Sequence, residues 1–235
     1  VSAALQARTV DGPVLQRDLP GGGVACPARR RRVIGYASRT GTRRNLAALA
    51  AQGWRLMVTP AVPRTEGMRY ALDNGAWSAA QTGRPWDADA FLRTVTQLGA
   101  AADFVVLPDI VGEGRASLKR SRTWLPFLLG STRLLLLPVQ DGLEPGDISP
   151  FLGENIGLFV GGTTAWKLAT LGTWGALAAR VGCYLHVGRV NTARRIARCH
   201  AAGAQSFDGT SVTRYAVTLP ELEEARRQHA LRLYA

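Results

Sequence analysis

The stretch Leu134-Leu-Leu-Leu-Pro-Val-Gln-Asp-Gly142 decides the fold. An unbroken apolar run that ends in a polar turn reads as a strand buried on both faces, not as one that alternates between core and water. Seven further runs have the same character: Val33–Tyr36, Arg55–Thr59, Arg69–Leu72, Phe104–Leu107, Leu158–Val160, Tyr184–Val187 and Gln205–Phe207. Helical patterns stand between most of them. Asn45–Gln52 opens on Asn45 as a cap and stops at Gly53. Asp87–Leu98 stops at Gly99. Glu113–Leu129, Thr164–Ala179 and Thr192–Ala202 follow the fourth, sixth and seventh runs. Leu219–Leu233 opens with Pro220 in its first turn. The links after the second and fifth runs carry no clear helical signal.

Eight buried strands alternating with helices predict a parallel sheet closed into a compact (β/α)8 barrel, an α/β fold of the TIM type, over residues 33–235. The rival arrangement is an open doubly wound sheet. No GxGxxG or GxxxxGK[ST] follows the first run, and Gly35–Gly41 is only loosely loop-like, so a nucleotide-binding fold loses ground. Residues 1–32, with Gly21–Gly23, Pro20 and Pro27, read as an irregular basic arm.

Composition limits the function classes. The chain has 235 residues, 46% of them hydrophobic, and a formal charge of +12. The longest apolar run is far too short to cross a bilayer, so no membrane partner is expected, and the start of the chain lacks a signal-peptide layout. Cys26, Cys183 and Cys199 form no CxxC pair, which favours a reducing cytoplasm, that of a bacterium or a phage-infected host. Only Lys119 and Lys167 among the 29 cations are lysines. Such arginine usage fits a GC-rich coding bias, and it also suits the gripping of phosphates by guanidinium forks. Residues 1–44 hold nine arginines against two aspartates, +7 of the +12, with a run at Arg29–Arg32. This end is expected to face nucleic acid, and Arg39, Arg43, Arg44 and Arg214 are candidate phosphate contacts.

In a barrel, the loops at the carboxyl ends of the strands build the site. Here those ends are Asp73-Asn74-Gly75-Ala76-Trp77, Asp109-Ile110-Val111-Gly112, Gln140-Asp141-Gly142, Gly161-Gly162-Thr163, His186-Val187-Gly188-Arg189 and Asp208-Gly209-Thr210. One aspartate at a strand end is usually a turn or a cap. Together the six supply several carboxylates, an amide and a glycine pair with free backbone N–H groups. That set suits recognition of a flat heterocycle, and two carboxylates suit glycosidic chemistry. Trp77 could stack on a base or pack, and His186 could line a pocket or be a buried packed histidine. Arg189 could meet phosphate or base, or form an ion pair. Trp166 and Trp174 are expected to pack helices on the barrel, and the Cys199-His200 pair lacks further ligands for a metal.

At these residues the sequence resembles the tRNA-guanine transglycosylase superfamily, and in particular its shorter phage-type branch that inserts 7-deazaguanine bases into DNA. The matching stretches are ALDNGAW (71–77), FVVLPDIVG (104–112), PVQDG (138–142), GLFVGGTTAWKL (157–168), YLHVGR (184–189) and GAQSFDGTSVTR (203–214). The resemblance implies that Asp208 is the nucleophile at C1′ and Asp73 the second catalytic carboxyl, handling protons of the leaving and incoming bases. It implies that Asp109 reads the amino and imino edge of a guanine-type base, and that Gln140 and the Gly161–Gly162 backbone bind its carbonyl. Trp77, His186 and Arg189 join them as substrate-binding candidates. The implied substrates are double-stranded DNA and a free 7-deazaguanine base of the 7-cyano type, with no cofactor. The chain runs 27 residues beyond Asp208, with Cys199 the nearest cysteine, so the zinc site of tRNA-acting members is expected to be absent. Gly209 departs from the family pattern beside the nucleophile. Alternatives are a tRNA transglycosylase of reduced size, a base-removing glycosylase, and a non-catalytic nucleic-acid-binding barrel subunit. The oligomeric state is left open.

Overall fold

The structure, a computed structural model, describes residues 32–38, 41–214 and 216–228. The expected arm therefore lies outside the described residues except for Arg32, as does Arg39. Eight strands form a closed parallel barrel in sequence order: β1 (Ile34–Ser38), β2 (Arg55–Val58), β3 (Tyr70–Leu72), β4 (Val105–Val106), β5 (Leu135–Val139), β6 (Ile156–Val160), β7 (Leu185–Val187) and β8 (Ser206–Gly209). The ring closes where β1 pairs with β8, Tyr36 standing beside Asp208. Each strand lies within two residues of its expected run.

The helices are α1 (Arg43–Ala51), α2 (Ala76–Gln81), α3 (Ala88–Leu98), α4 (Gly114–Leu128), α5 (Pro145–Ile148), α6 (Thr164–Val181), α7 (Ala193–Ala201), α8 (Ser211–Arg214) and α9 (Leu219–Arg227). No helix links β2 to β3; a turn pinned by a Thr59–Val62 bridge takes its place. Two expectations need correcting. The last helix, expected over Leu219–Leu233, ends at Arg227 with Gln228 as its C-cap, and the residues after Gln228 lie outside the described residues. Asn45 does not cap α1: Thr42 does, its hydroxyl accepting from Asn45 N at 3.2 Å. Asn45 is instead buried, and its amide donates to the carbonyls of Val212 and Thr213 at 3.0 and 3.1 Å. That tie across the β1–β8 seam favours a helix starting two residues earlier.

The unbroken apolar runs are explained by two cores. Leu56, Leu72, Leu107, Leu137, Val160, Leu185 and Phe207 face outward under the helices. Tyr36, Met57, Ala71, Phe104, Val106 and Leu136 fill the barrel interior. Most strands are thus apolar on both faces, as a parallel barrel requires, while β7 and β8 turn His186, Ser206 and Asp208 inward. The amino-terminal end is closed by Asp103, which accepts from Tyr36 Oη at 3.0 Å, Arg55 at 2.9 Å and Arg69 at 2.6 Å. The polar residues that close the strands lie at the opposite, carboxyl-terminal end. Among the described residues, no helix is long and apolar enough to cross a membrane.

Candidate functional site

Six strand ends converge on the carboxyl-terminal mouth, above an aromatic floor. Tyr36, Phe104 and Phe159 surround the His186 ring, with Phe159 stacked on it at 4.9 Å. Gly188 leaves room for that ring, since a Cβ there would come within 2.9 Å of Phe159.

Asp208 sits on β8 directly above the floor. His186 Nε2 lies 3.0 Å from its Oδ1, and the backbone N–H of Arg189 donates to its Oδ2 at 3.2 Å. Burial, with Lys167 adding to it, lowers the pKa of His186 against the pull of Asp208, so the ring is neutral. A carboxylate only accepts, so Nε2 carries the hydrogen, and Nδ1 accepts from Ser206 Oγ at 2.7 Å. His186 has no exposed surface. It orients Asp208 and does not line an open pocket.

The Gly188–Arg189 peptide is held from both sides. Its N–H serves Asp208, while its carbonyl accepts from the ammonium of Lys167, a side chain buried on α6. Burial, reinforced by the neighbouring Arg189, pushes Lys167 down to about 8, with Asp208 pulling the other way. Arg189 adopts φ 58°, a left-handed conformation uncommon for a residue with a Cβ. Gly209 now has a reason: a Cβ there would meet Val190 O at 2.3 Å, so the β7 loop can lie against β8 only over a glycine.

Asp73 closes β3, and Gly75 N donates to its Oδ2 at 3.2 Å. Burial, and then the charges of Asp208 and Asp109, push its pKa up to about 7. Asp73 and Asp208 thus share one mouth, each within reach of the other's field. Asp109, at the end of β4, accepts from Asn74 Nδ2 at 3.0 Å and from Gln140 Nε2. Burial raises it to about 6, moderated by the Asn74 bond and the charge of Arg120.

Gln140 is at the site, but its amide is already committed. Nε2 also donates to Ser117 Oγ at 3.0 Å, and Oε1 accepts from Gly112 N at 2.7 Å. In this geometry it braces Asp109. The glycine pair also needs correcting. Gly161 N donates to Val139 O at 2.9 Å, extending the β5–β6 ladder, so Gly162 alone offers an N–H without a partner among the described residues. Gly162 must be glycine, because its φ is +69° and a Cβ would fall 2.6 Å from Asp141 Oδ2. Asp141 is structural: Thr163 donates to it from Oγ1 at 2.6 Å and from N at 2.7 Å. Burial works against its ionisation, but these bonds prevail and lower its pKa.

Trp77 is 41% exposed on α2, and the Arg189 guanidinium lies 4.1 Å from its ring centroid while donating to Gly162 O. One arginine thus reaches from the β7 loop across to α2, the helix that follows β3. Arg43, Arg44 and Arg214 are exposed around the rim. Sequence reasoning missed Asn74, Ser117, Ser206 and Lys167 as parts of the site. Lys167 carried a signal: it stands four and seven residues before the buried Leu171 and Trp174, on the helix face turned to the core. Trp174 lies in the core between helices and barrel with Trp166 packed against it, as expected, their rings 5.9 Å apart. Cys199 is buried, and His200 Nε2 lies 3.2 Å from Ala225 O. Among the described residues, no three His, Cys, Asp or Glu side chains are grouped to hold a metal. A depression of about 330 Å³ on α3, lined by Asp89, Leu92, Arg93, Thr96 and Gln97, lies away from the mouth.

No family model matches the sequence, and no curated protein matches it. Solved structures match in shape. Tryptophan synthase from M. tuberculosis in an open form with BRD0059 bound gives a TM-score of 0.50 at 12% identity, covering 84% of this chain and 91% of that one. The aminoacrylate-bound form gives 0.50 at 16% identity, covering 86% and 93%. At such identities the likeness is one of fold, the (β/α)8 barrel already described.

Proposed function

We propose that the protein is a base-exchanging transglycosylase that replaces guanine in DNA with a 7-deazaguanine base. The observation that carries this reading is the pairing of Asp208 with Asp73 across one mouth. One carboxylate is aimed by an imidazole and a peptide N–H, and the other keeps its proton close to neutral pH.

The step balances as a double displacement. Asp208 Oδ attacks C1′, a C–O bond forms, and the C1′–N9 bond breaks with its electron pair leaving on guanine. Asp73 gives that base a proton. The incoming base then surrenders its N9 proton to Asp73, N9 attacks C1′, and the Asp208 carboxylate is released, so configuration is retained. Asp109, steadied by Asn74 and Gln140, accepts from the amino and imino edge, and Gly162 N–H donates to the carbonyl. Arg189 must slide from the face of Trp77, or sandwich the base against it. The target nucleotide has to leave its stack, at a cost of about a few kcal/mol.

The test is exchange of labelled guanine or 7-cyano-7-deazaguanine into duplex DNA, single strands and tRNA. We expect label in duplex DNA, a covalent protein–DNA adduct, complete loss of both in Asp208→Ala, and a fall of about 100-fold or more in Asp73→Asn. Exchange by Asp208→Ala at the wild-type rate, or label entering no nucleic acid, overturns the reading. Label in tRNA alone would replace DNA as the substrate.

A further inference from the structure

The charges of the mouth are sorted by side. The loops after β7, β8 and β1 (188–195, 210–214 and 41–44) hold Arg189, Arg194, Arg195, Arg214, Arg43 and Arg44 and no carboxylate. The loops after β3, β4 and β5 (73–87, 107–115 and 140–147) hold seven carboxylates against two cations, Arg84 and Arg115, and Arg115 is paired with Asp147 at 3.5 Å. Arg43, Arg44, Arg194 and Arg214 are exposed and Arg195 partly so, and none of these five is in an ion pair among the described residues. Arg55 and Arg226 have carboxylate partners, while Arg93 and Arg180, also unpaired among the described residues, stand singly on α3 and α6, so what sets the arc apart is the gathering of its arginines.

We propose that duplex DNA docks on one side of the mouth only, its sugar–phosphate backbone lying along the β7–β8–β1 arc, with Arg194 and Arg195 at the start of α7 as phosphate contacts. This rests on the reading of DNA as substrate and adds its placement. Unpaired like charges repel one another, and a row of phosphates relieves that repulsion, while the acidic arc opposite repels the same backbone. The placement also fits the chemistry. Asp208 stands on β8, the middle strand of the basic arc, so the sugar of a strand lying there comes to the nucleophile. Asp109 lies in the loop after β4, on the acidic side, where only the extruded base has to reach. The sorting of charge therefore sets both the side on which the backbone lies and the direction in which the base points.

The test is anisotropy of a fluorescent 20-base-pair duplex, titrated at several salt concentrations. Arg194→Ala/Arg195→Ala and Arg43→Ala/Arg44→Ala are compared with Arg93→Ala/Arg180→Ala, which removes the same charge from exposed positions on α3 and α6. Circular dichroism melting confirms that each variant is folded. Each arc variant should weaken binding about tenfold or more at 0.1 M salt and lower the slope of log K against log salt by about 1 to 2, with the control pair unchanged. Equal losses in arc and control variants, or none in the arc, overturn the proposal, as does binding of tRNA without binding of duplex. Arc-dependent binding without base exchange would refute the proposed reaction and leave the surface standing. Exchange that ignores the arc would do the reverse.

Discussion

Asp73 has a cost that can be measured without any substrate. Its carboxyl is near 4 in an unfolded chain and about 7 in the folded protein, because of burial and the charges of Asp208 and Asp109. As pH rises from about 4 to 7, the unfolded state gives up this proton and the folded state keeps it. Stability attributable to Asp73 therefore falls across that window. Asp73→Asn, which cannot ionise, should raise Tm above wild type at pH 8 by a few degrees, with the difference shrinking towards zero at pH 4. A difference independent of pH would mean that Asp73 is not held protonated. The aspartates were legible in the sequence because each closes an apolar run. Their supports were not: Ser206 and Asn74 act through bonds to residues 20 and 35 positions away, which no local pattern reveals.

Elements carry the next set of consequences. The eight strands could be read from the sequence because a parallel barrel makes most of them apolar on both faces. The short helices α2 and α5 could not, since six and four residues hold too little periodicity. Nor could α6 disclose what Lys167 does, because a lysine on a buried face acquires its meaning from the β7 loop it meets. Lys167→Met keeps the bulk of that side chain and removes the charge that holds the Gly188 carbonyl. We expect Tm to change by only a few degrees while exchange falls about tenfold or more, the scale of one lost charge-assisted hydrogen bond. Helix α9 is fixed differently. Glu223, buried, accepts from Trp54 Nε1 at 2.8 Å and from Arg226 Nε at 2.9 Å. Glu223→Ala leaves the buried Arg226 guanidinium without a carboxylate, with the Gln52 carbonyl still accepting from it, and should cost about 3–5 kcal/mol in denaturant unfolding. Adding Arg226→Met should recover much of that loss. If the double variant is no better than the single, the cost lies in packing and not in the charge left without its carboxylate.

The whole molecule is a cation, and that alone does not make it a nucleic-acid protein. Its +12 is present in the unfolded chain as well, so attraction that depends only on net charge would act on both states and leave Tm nearly where it was. The folded barrel differs in gathering unpaired arginines on one side of the mouth and carboxylates on the other. If that arrangement is what DNA recognises, duplex at about 100 times its Kd should add about 2.7 kcal/mol, or about 5–10 °C for a chain of this size. The gain should shrink as salt rises through the range in which phosphate contacts are lost. It should also shrink in Arg194→Ala/Arg195→Ala but persist in Asp208→Asn, because binding along the arc precedes the chemistry. A Tm unmoved by duplex at low salt would mean that the arginines are no more than a solvated surface, since a ligand of the folded state alone has to stabilise it.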